Sequence, residues 1–231
     1  MKTGIIGAMD EEVRLLKEAC LVQKTATVAR MAFLAGTIHE KEVVIVKSGV
    51  GKVNAALCAQ ILIDRFQVTH ILNTGVAGSL DARINIGDFV LSSDAVQHDV
   101  NATLFGYRPG EIPSMGQVSF PADETLASSL SDAVKEAAPD ISCFRGRIAS
   151  GDQFIADAQR KREIKETFDA LCCEMEGASV AQCAFLNGIP FCIIRAISDK
   201  ADGSDIIDYP VFEKKAAADC ASVVIHYLKG V

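Results

Sequence analysis

No apolar run in this 231-residue chain approaches the length of a membrane span, and residues 1–8 begin a strand pattern in place of a charged-then-apolar leader. A cytoplasmic protein is expected. A surplus of positive charge is missing too. The net charge is -7, and the 23 basic residues are dispersed apart from one short cluster, Arg160-Lys161-Arg162, on a predicted helix. Nucleic acid and anionic membrane are therefore poor partners. The eight cysteines, at 20, 58, 143, 172, 173, 183, 192 and 220, form no Cys-x-x-Cys pair and sit mostly inside apolar patterns, so they read as reduced, small core residues. The four histidines, at 39, 70, 98 and 226, have no His-Glu-x-x-His spacing, and neither a metal nor any other cofactor is called for. Linkers, internal repeats and low-complexity segments are absent as well.

With 49% hydrophobic residues and no internal composition shift, residues 1–231 are expected to form a single domain. Strand patterns alternate with helix patterns, which predicts a three-layer αβα sandwich around a mixed, largely parallel sheet. The chain is organised around Cys172 to Asp199. Within it, Phe191 to Ile197 is too apolar for an edge strand and too short for a helix, so it reads as a buried strand with Asp199 just past its carboxyl end. Glu174 and Glu176 fall at a similar junction, between a short strand at Leu171–Cys173 and a helix from Gly177. Carboxyl ends of strands are where open α/β sheets bind ligands. Three carboxylates and Arg195 gathered there suit acid, base or hydroxyl-binding roles, although a Glu beside a helix N-terminus is equally ordinary dipole complementation.

The opening Thr3-Gly-Ile-Ile-Gly-Ala-Met reads as a strand and glycine turn, followed by a helix from Asp10. Such a turn often cradles phosphate. Here Asp10, Glu11 and Glu12 would repel an anion, so water is the better nucleophile, with one carboxylate as its base; Asp10 and Glu11 are assigned to the helix dipole. The Ser48-Gly-Val-Gly-Lys52 stretch matches neither nucleotide motif, because Val46, Val53 and Asn54 stand where a P-loop or dinucleotide fingerprint needs other residues. Thr69 to Thr74 reads as a buried strand and Gly75-Val-Ala-Gly78 as its terminal turn, open enough for a flat ring to approach the main chain. Residues 97–121 read as a long loop with aromatic and apolar side chains, suited to a partner subunit or a ligand.

Six strand-end turns recur in order: Gly7 to Glu12, Ser48 to Lys52, Asn73 to Gly78, Ser150-Gly-Asp-Gln-Phe-Ile155, Glu174-Met-Glu-Gly177 and Arg195-Ala-Ile-Ser-Asp199. Together they resemble the nucleoside phosphorylase superfamily, and within it the 5'-methylthioadenosine/S-adenosylhomocysteine nucleosidases, over essentially the whole chain. The resemblance implies hydrolysis of an N-glycosidic bond to adenine and a thioribose. By that resemblance, Asp199 protonates or hydrogen-bonds the purine N7, Glu12 positions and deprotonates water, and Glu176 accepts hydrogen bonds from ribose hydroxyls. Met9 and Met175 pack on the sugar beside the Val50 turn; Phe154 stacks on adenine and the Ile155 main chain reads its edge. Ser198, Ala77 and Gly78 support the purine end. Tyr209 stands where phenylalanine is usual, Val76 replaces a small polar residue, and Arg195 orients Glu176 or pairs with it structurally. Phe105 and Pro113 are implied to reach a neighbouring subunit's site, hence a homodimer joined through loop 97–121.

The chemistry agrees with this. Breaking a nucleoside develops an oxocarbenium-like sugar, so carboxylates near it stabilise charge while an acid neutralises the leaving base. Asp199 must then hold a proton through desolvation or a hydrogen bond, while Glu12 stays ionised. The alternatives are a phosphorolytic relative, a non-catalytic nucleoside-binding relative and an aminofutalosine-type hydrolase.

Overall fold

The computed structural model describes residues 1–200 and 209–230 and, for residues 209–211, the backbone alone. The elements run β1 (Lys2–Gly7), α1 (Asp10–Ala19), β2 (Leu21–Val28), β3 (Met31–Ile38), β4 (Lys41–Lys47), α2 (Lys52–Phe66), β5 (His70–Ser79), β6 (Phe89–Gln97), β7 (Ser119–Pro121), α3 (Glu124–Ala137), β8 (Cys143–Ser150), α4 (Ala158–Phe168), β9 (Cys172–Glu174), α5 (Gly177–Asn187), β10 (Phe191–Asp199) and α6 (Tyr209–Gly230). Among the described residues no helix is long and apolar enough to cross a membrane.

β5 is the hub of the sheet. It pairs in parallel with β1 through Thr3–Ile6 and with β10 through Phe191–Asp199, and its last residues, Gly78 and Ser79, pair antiparallel with β9. β10 runs antiparallel to β6, β6 parallel to β8, and β8 parallel to β9. β5, β10, β6, β8 and β9 therefore close on themselves as a ring, while β1 extends the sheet outward through β4, β3 and β2. The sheet is mixed, as the alternating pattern predicts; its antiparallel pairings include the successive β2–β3–β4 hairpins and the short β7 strap on β6.

Helices cover both faces. One apolar cluster joins the sheet to α2 and α5 through Ala55, Cys58, Leu62, Ala181 and Ala184. The other joins it to α1, α3 and α6 through Val13, Leu16, Leu130, Val224 and Leu228. A smaller cluster packs Ile164 and Phe168 of α4 against Ala149 and Cys173. All eight cysteines are unpaired, and all eight lie among the residues of these clusters or pack against them.

Two local readings change. The span Gly75–Gly78 continues β5, with Gly75 to Gly78 paired to Arg195–Asp199, because main-chain hydrogen bonding to β10 runs on past the first glycine. β2 is an added strand between α1 and β3, mostly exposed and joined to β3 by a turn at Ala29-Arg30.

Candidate active site

The carboxyl ends of β1, β5, β9 and β10 open onto one cavity of about 180 Å³. Its walls include Ala8, Met9 and Glu12 from the β1–α1 junction, Val50 from the turn before α2, and Val76, Ala77 and Gly78 from β5. Gln153, Phe154 and Ile155 follow β8, Met175 and Glu176 lie between β9 and α5, and Ser198 and Asp199 end β10. Glu12, Glu176 and Asp199, distant in sequence, thus share a single hollow.

Glu12 stands at the third position of α1 and folds back over the helix start. Its Oε2 accepts from the amides of Ala8 (2.6 Å) and Met9 (3.0 Å), and its Oε1 accepts from the amide of Val76 (3.1 Å). Burial raises its carboxyl above the ordinary range, opposed by the Arg195 guanidinium and by these amides. Val76, where the resemblance has a small polar residue, thus reaches Glu12 through its main-chain amide. Gly75 is what lets Glu12 lie there, since a Cβ at 75 would come within 2.8 Å of Glu12 Cδ. Asp10 differs from Glu12: it is exposed and its Oδ2 accepts from Lys47 Nζ at 2.6 Å.

The two glutamates of β9–α5 divide the work. Glu174 is a fully engaged structural carboxylate: it accepts from Gly177 N (3.0 and 2.8 Å), Glu176 N (3.1 Å), Ser150 Oγ and Arg195 Nη2 (2.5 Å). With Ser150 Oγ accepting from Ala178 N (2.7 Å), these contacts satisfy the first amides of α5. Glu176 accepts from the amide of Gly51 at 2.8 Å and turns to the cavity. Burial raises its carboxyl, the neighbouring Glu174 charge adds to this, and Arg195 pulls the other way. Arg195 itself is a correction: it does not line the cavity, and its ion pair is with Glu174, not Glu176. Only 2% exposed, it also donates to Asn73 Oδ1 (2.5 Å) and Asn73 O (3.1 Å). Burial disfavours its charge, yet Glu174, Glu12 and Glu176 together hold the guanidinium above its ordinary value.

Where β5 and β10 end, Asp199 lies against Gly78, where a Cβ would stand 2.9 Å from Asp199 Oδ2. Gly75 and Gly78 thus make room for two carboxylates, a different use from the ring approach read from the sequence. Ser198 Oγ is 3.4 Å from both Ala77 O and Asp199 Oδ1. The surroundings of Asp199 also differ from expectation: Lys161 Nζ, on α4, lies 2.6 Å from its Oδ2 and 2.6 Å from Lys200 O.

Sequence reasoning missed Lys161. The signal was there, because Lys161, Ile164 and Phe168 follow helical spacing and are the buried residues of α4. Met9, Val50, Ala77, Gly78, Phe154, Ile155, Met175 and Ser198 all line the cavity. Phe105 ends an exposed helical turn, Thr103–Phe105, and Pro113 is exposed; neither lines the cavity of its own chain. The side chain of Tyr209 lies outside the described residues.

Residues 2–229 match the family model described as the phosphorylase superfamily. The chain belongs to that superfamily. Within it, the chain is 40% identical over 222 residues to a 5'-methylthioadenosine/S-adenosylhomocysteine nucleosidase of Staphylococcus aureus, covering 96% of each. A solved nucleosidase of that kind from Neisseria meningitidis, in complex with methylthio-immucillin-A, superposes with a TM-score of 0.94 at 34% identity, over 100% of this chain and 99% of that one. A futalosine hydrolase of Helicobacter pylori strain 26695 superposes with a TM-score of 0.93, also at 34% identity, over 100% and 98%. This superfamily fold places the cavity at the strand ends, where the six sequence turns converge.

Proposed function

We propose that this enzyme hydrolyses the N-glycosidic bond of 5'-methylthioadenosine and S-adenosylhomocysteine, releasing adenine and the thioribose. One observation carries the choice of hydrolysis within a superfamily named for phosphorolysis: the cavity wall carries Glu12, Glu176 and Asp199, and among the described residues no lysine, arginine or histidine lines it. A phosphate dianion would have carboxylates for neighbours and no cation to hold it. Water has no such penalty. In phosphate-free buffer, adenine release from 5'-methylthioadenosine is expected to run at the same rate as with phosphate present. Dependence on phosphate, with a sugar 1-phosphate as product, would replace hydrolysis by phosphorolysis.

The roles follow from what each group can do. As the bond between sugar and base breaks, positive charge develops on the ribosyl ring, and the carboxylates of Glu12 and Glu176 lie on the wall around it. Glu12, fixed by three amides, takes a proton from the attacking water. Glu176 accepts from sugar hydroxyls, Phe154 and Met175 offer apolar surface, and Asp199 serves the departing purine. The futalosine hydrolase likeness keeps aminofutalosine as a second substrate. A panel scored by adenine release ranks it beside the thionucleosides.

The working form is a homodimer whose loop 97–121 closes the neighbour's site. Leu104 and Phe105 support this, being 97% and 83% exposed at the loop's helical turn, where a lone apolar pair gains nothing from solvent. Action in the cytoplasm accords with eight unpaired thiols.

A further inference from the structure

We propose that Lys161 is the proton source for Asp199, acting through it as a positioning residue in departure of the purine. The proposal rests on the nucleosidase reading of the cavity.

Lys161 is in an expensive place. It lies in the first turns of α4, where the helix dipole disfavours a cation, and it is only 3% exposed. Its ammonium makes a 2.6 Å ion pair with Asp199 Oδ2 and donates to Lys200 O at 2.6 Å. Of the other cations of this helix, Arg162 is exposed, Arg160 pairs with Glu163 at 3.1 Å, and Lys165 pairs with Asp81 at 3.2 Å and Asp169 at 3.0 Å. From β9 the Cys173 thiol lies near both members of the pair and the Cys172 thiol near Asp199. Among the described residues Lys161 is thus the one cation paired to the carboxylate at the purine end.

The ion pair puts the Lys161 Nζ–H donor 2.6 Å from Asp199 Oδ2, within direct proton-transfer reach. When the glycosidic bond breaks, its electron pair passes to the purine, making a ring nitrogen far more basic than a carboxylate. A Lys161 Nζ–H bond then breaks as the proton moves to Asp199. The carboxyl group so formed passes the proton to the purine, a new N–H bond forms, and the base leaves neutral. Lys161 is left as an amine and is recharged by solvent after the products depart. Charge and protons balance with no co-reactant beyond water.

The test compares wild type, Lys161→Met, Lys161→Arg and Asp199→Asn on two substrates. One is 5'-methylthioadenosine; the other is the 4-nitrophenyl 5-methylthioriboside, whose phenolate leaves without a proton. Wild-type adenine release tests the nucleosidase reading separately, and its absence would overturn that reading whatever the variants do. Lys161→Met is expected to lower kcat on 5'-methylthioadenosine about 100-fold with KM changed less than about threefold. Release of 4-nitrophenol should change by less than about threefold, with Asp199→Asn showing the same split. Arginine keeps the ion pair but does not surrender its proton, so Lys161→Arg should fold normally and still lose kcat. The variant-to-wild-type rate ratio on 5'-methylthioadenosine should climb as pH falls, because solvent then protonates Asp199 directly. A wild-type kcat in Lys161→Arg, equal losses on both substrates, or a flat rate ratio across pH would overturn the proposal. If Lys161→Met does not fold, the arginine variant and its pH profile decide alone.

Discussion

Glu176 holds its place with a hydrogen bond from the Gly51 amide in a spot where burial disfavours its charge. Its native carboxyl binds a proton more tightly than the unfolded chain does, so the associated stability is complete below the ordinary carboxylate range, near pH 4, and is lost as pH rises through the native value. Glu176→Gln removes this penalty and retains an oxygen for the Gly51 amide. The substitution is expected to leave stability nearly unchanged near pH 5 and to add on the order of 2 kcal/mol near pH 9, while activity falls steeply. Denaturant melts at the two pH values check it; an equal change at both would mean that Glu176 bears no charge penalty. The same residue marks how far sequence reaches. Glu174, which ends β9, and Glu176, two residues on, both border the cavity, and Ser150 and Arg195, which arrive from β8 and β10, engage the first and leave the second to face it. Lys161 was hidden for a related reason: it stands in a run of three basic residues, and its helical spacing to Ile164 and Phe168 was the one cue that set it apart.

At the scale of elements, most helices and the apolar strands were legible because their periods differ and their ends carry turn residues. β2 was not. It has exposed side chains on both faces, and the turns on either side of β3, Ala29-Arg30 and His39-Glu40, have positive φ at both central residues without the usual asparagine or glycine. Arg30 sits at φ 65° with a side chain that costs energy there. Arg30→Gly should relieve that strain and stabilise the fold by about 0.5–1 kcal/mol, as read by a shift of the urea midpoint without a change in slope. A destabilised variant would mean that the arginine side chain earns its place through contacts. β5 was misjudged in the other direction, since glycines that looked like a turn belong to the strand and clear space for Glu12 and Asp199.

For the molecule as a whole, closure of β5, β10, β6, β8 and β9 into a ring could not be read from one sequence, because each pairing joins segments far apart in the chain and depends on the others. The proposed homodimer is also a property of the whole molecule. Phe105→Glu places a charge on the exposed turn and is expected to shift sedimentation from dimer toward monomer and to raise KM for thioalkyl nucleosides about tenfold. Unchanged sedimentation and KM would assign that turn to solvent. The cavity's uneven electrostatics also bear on inhibitor choice. A sugar analogue with a permanent positive nitrogen at the anomeric position would find two acidic side chains, Glu12 and Glu176, already fixed around it, whereas an acidic analogue would be pushed away. Medicinal chemistry on this enzyme should therefore begin with cationic scaffolds and leave phosphonates aside.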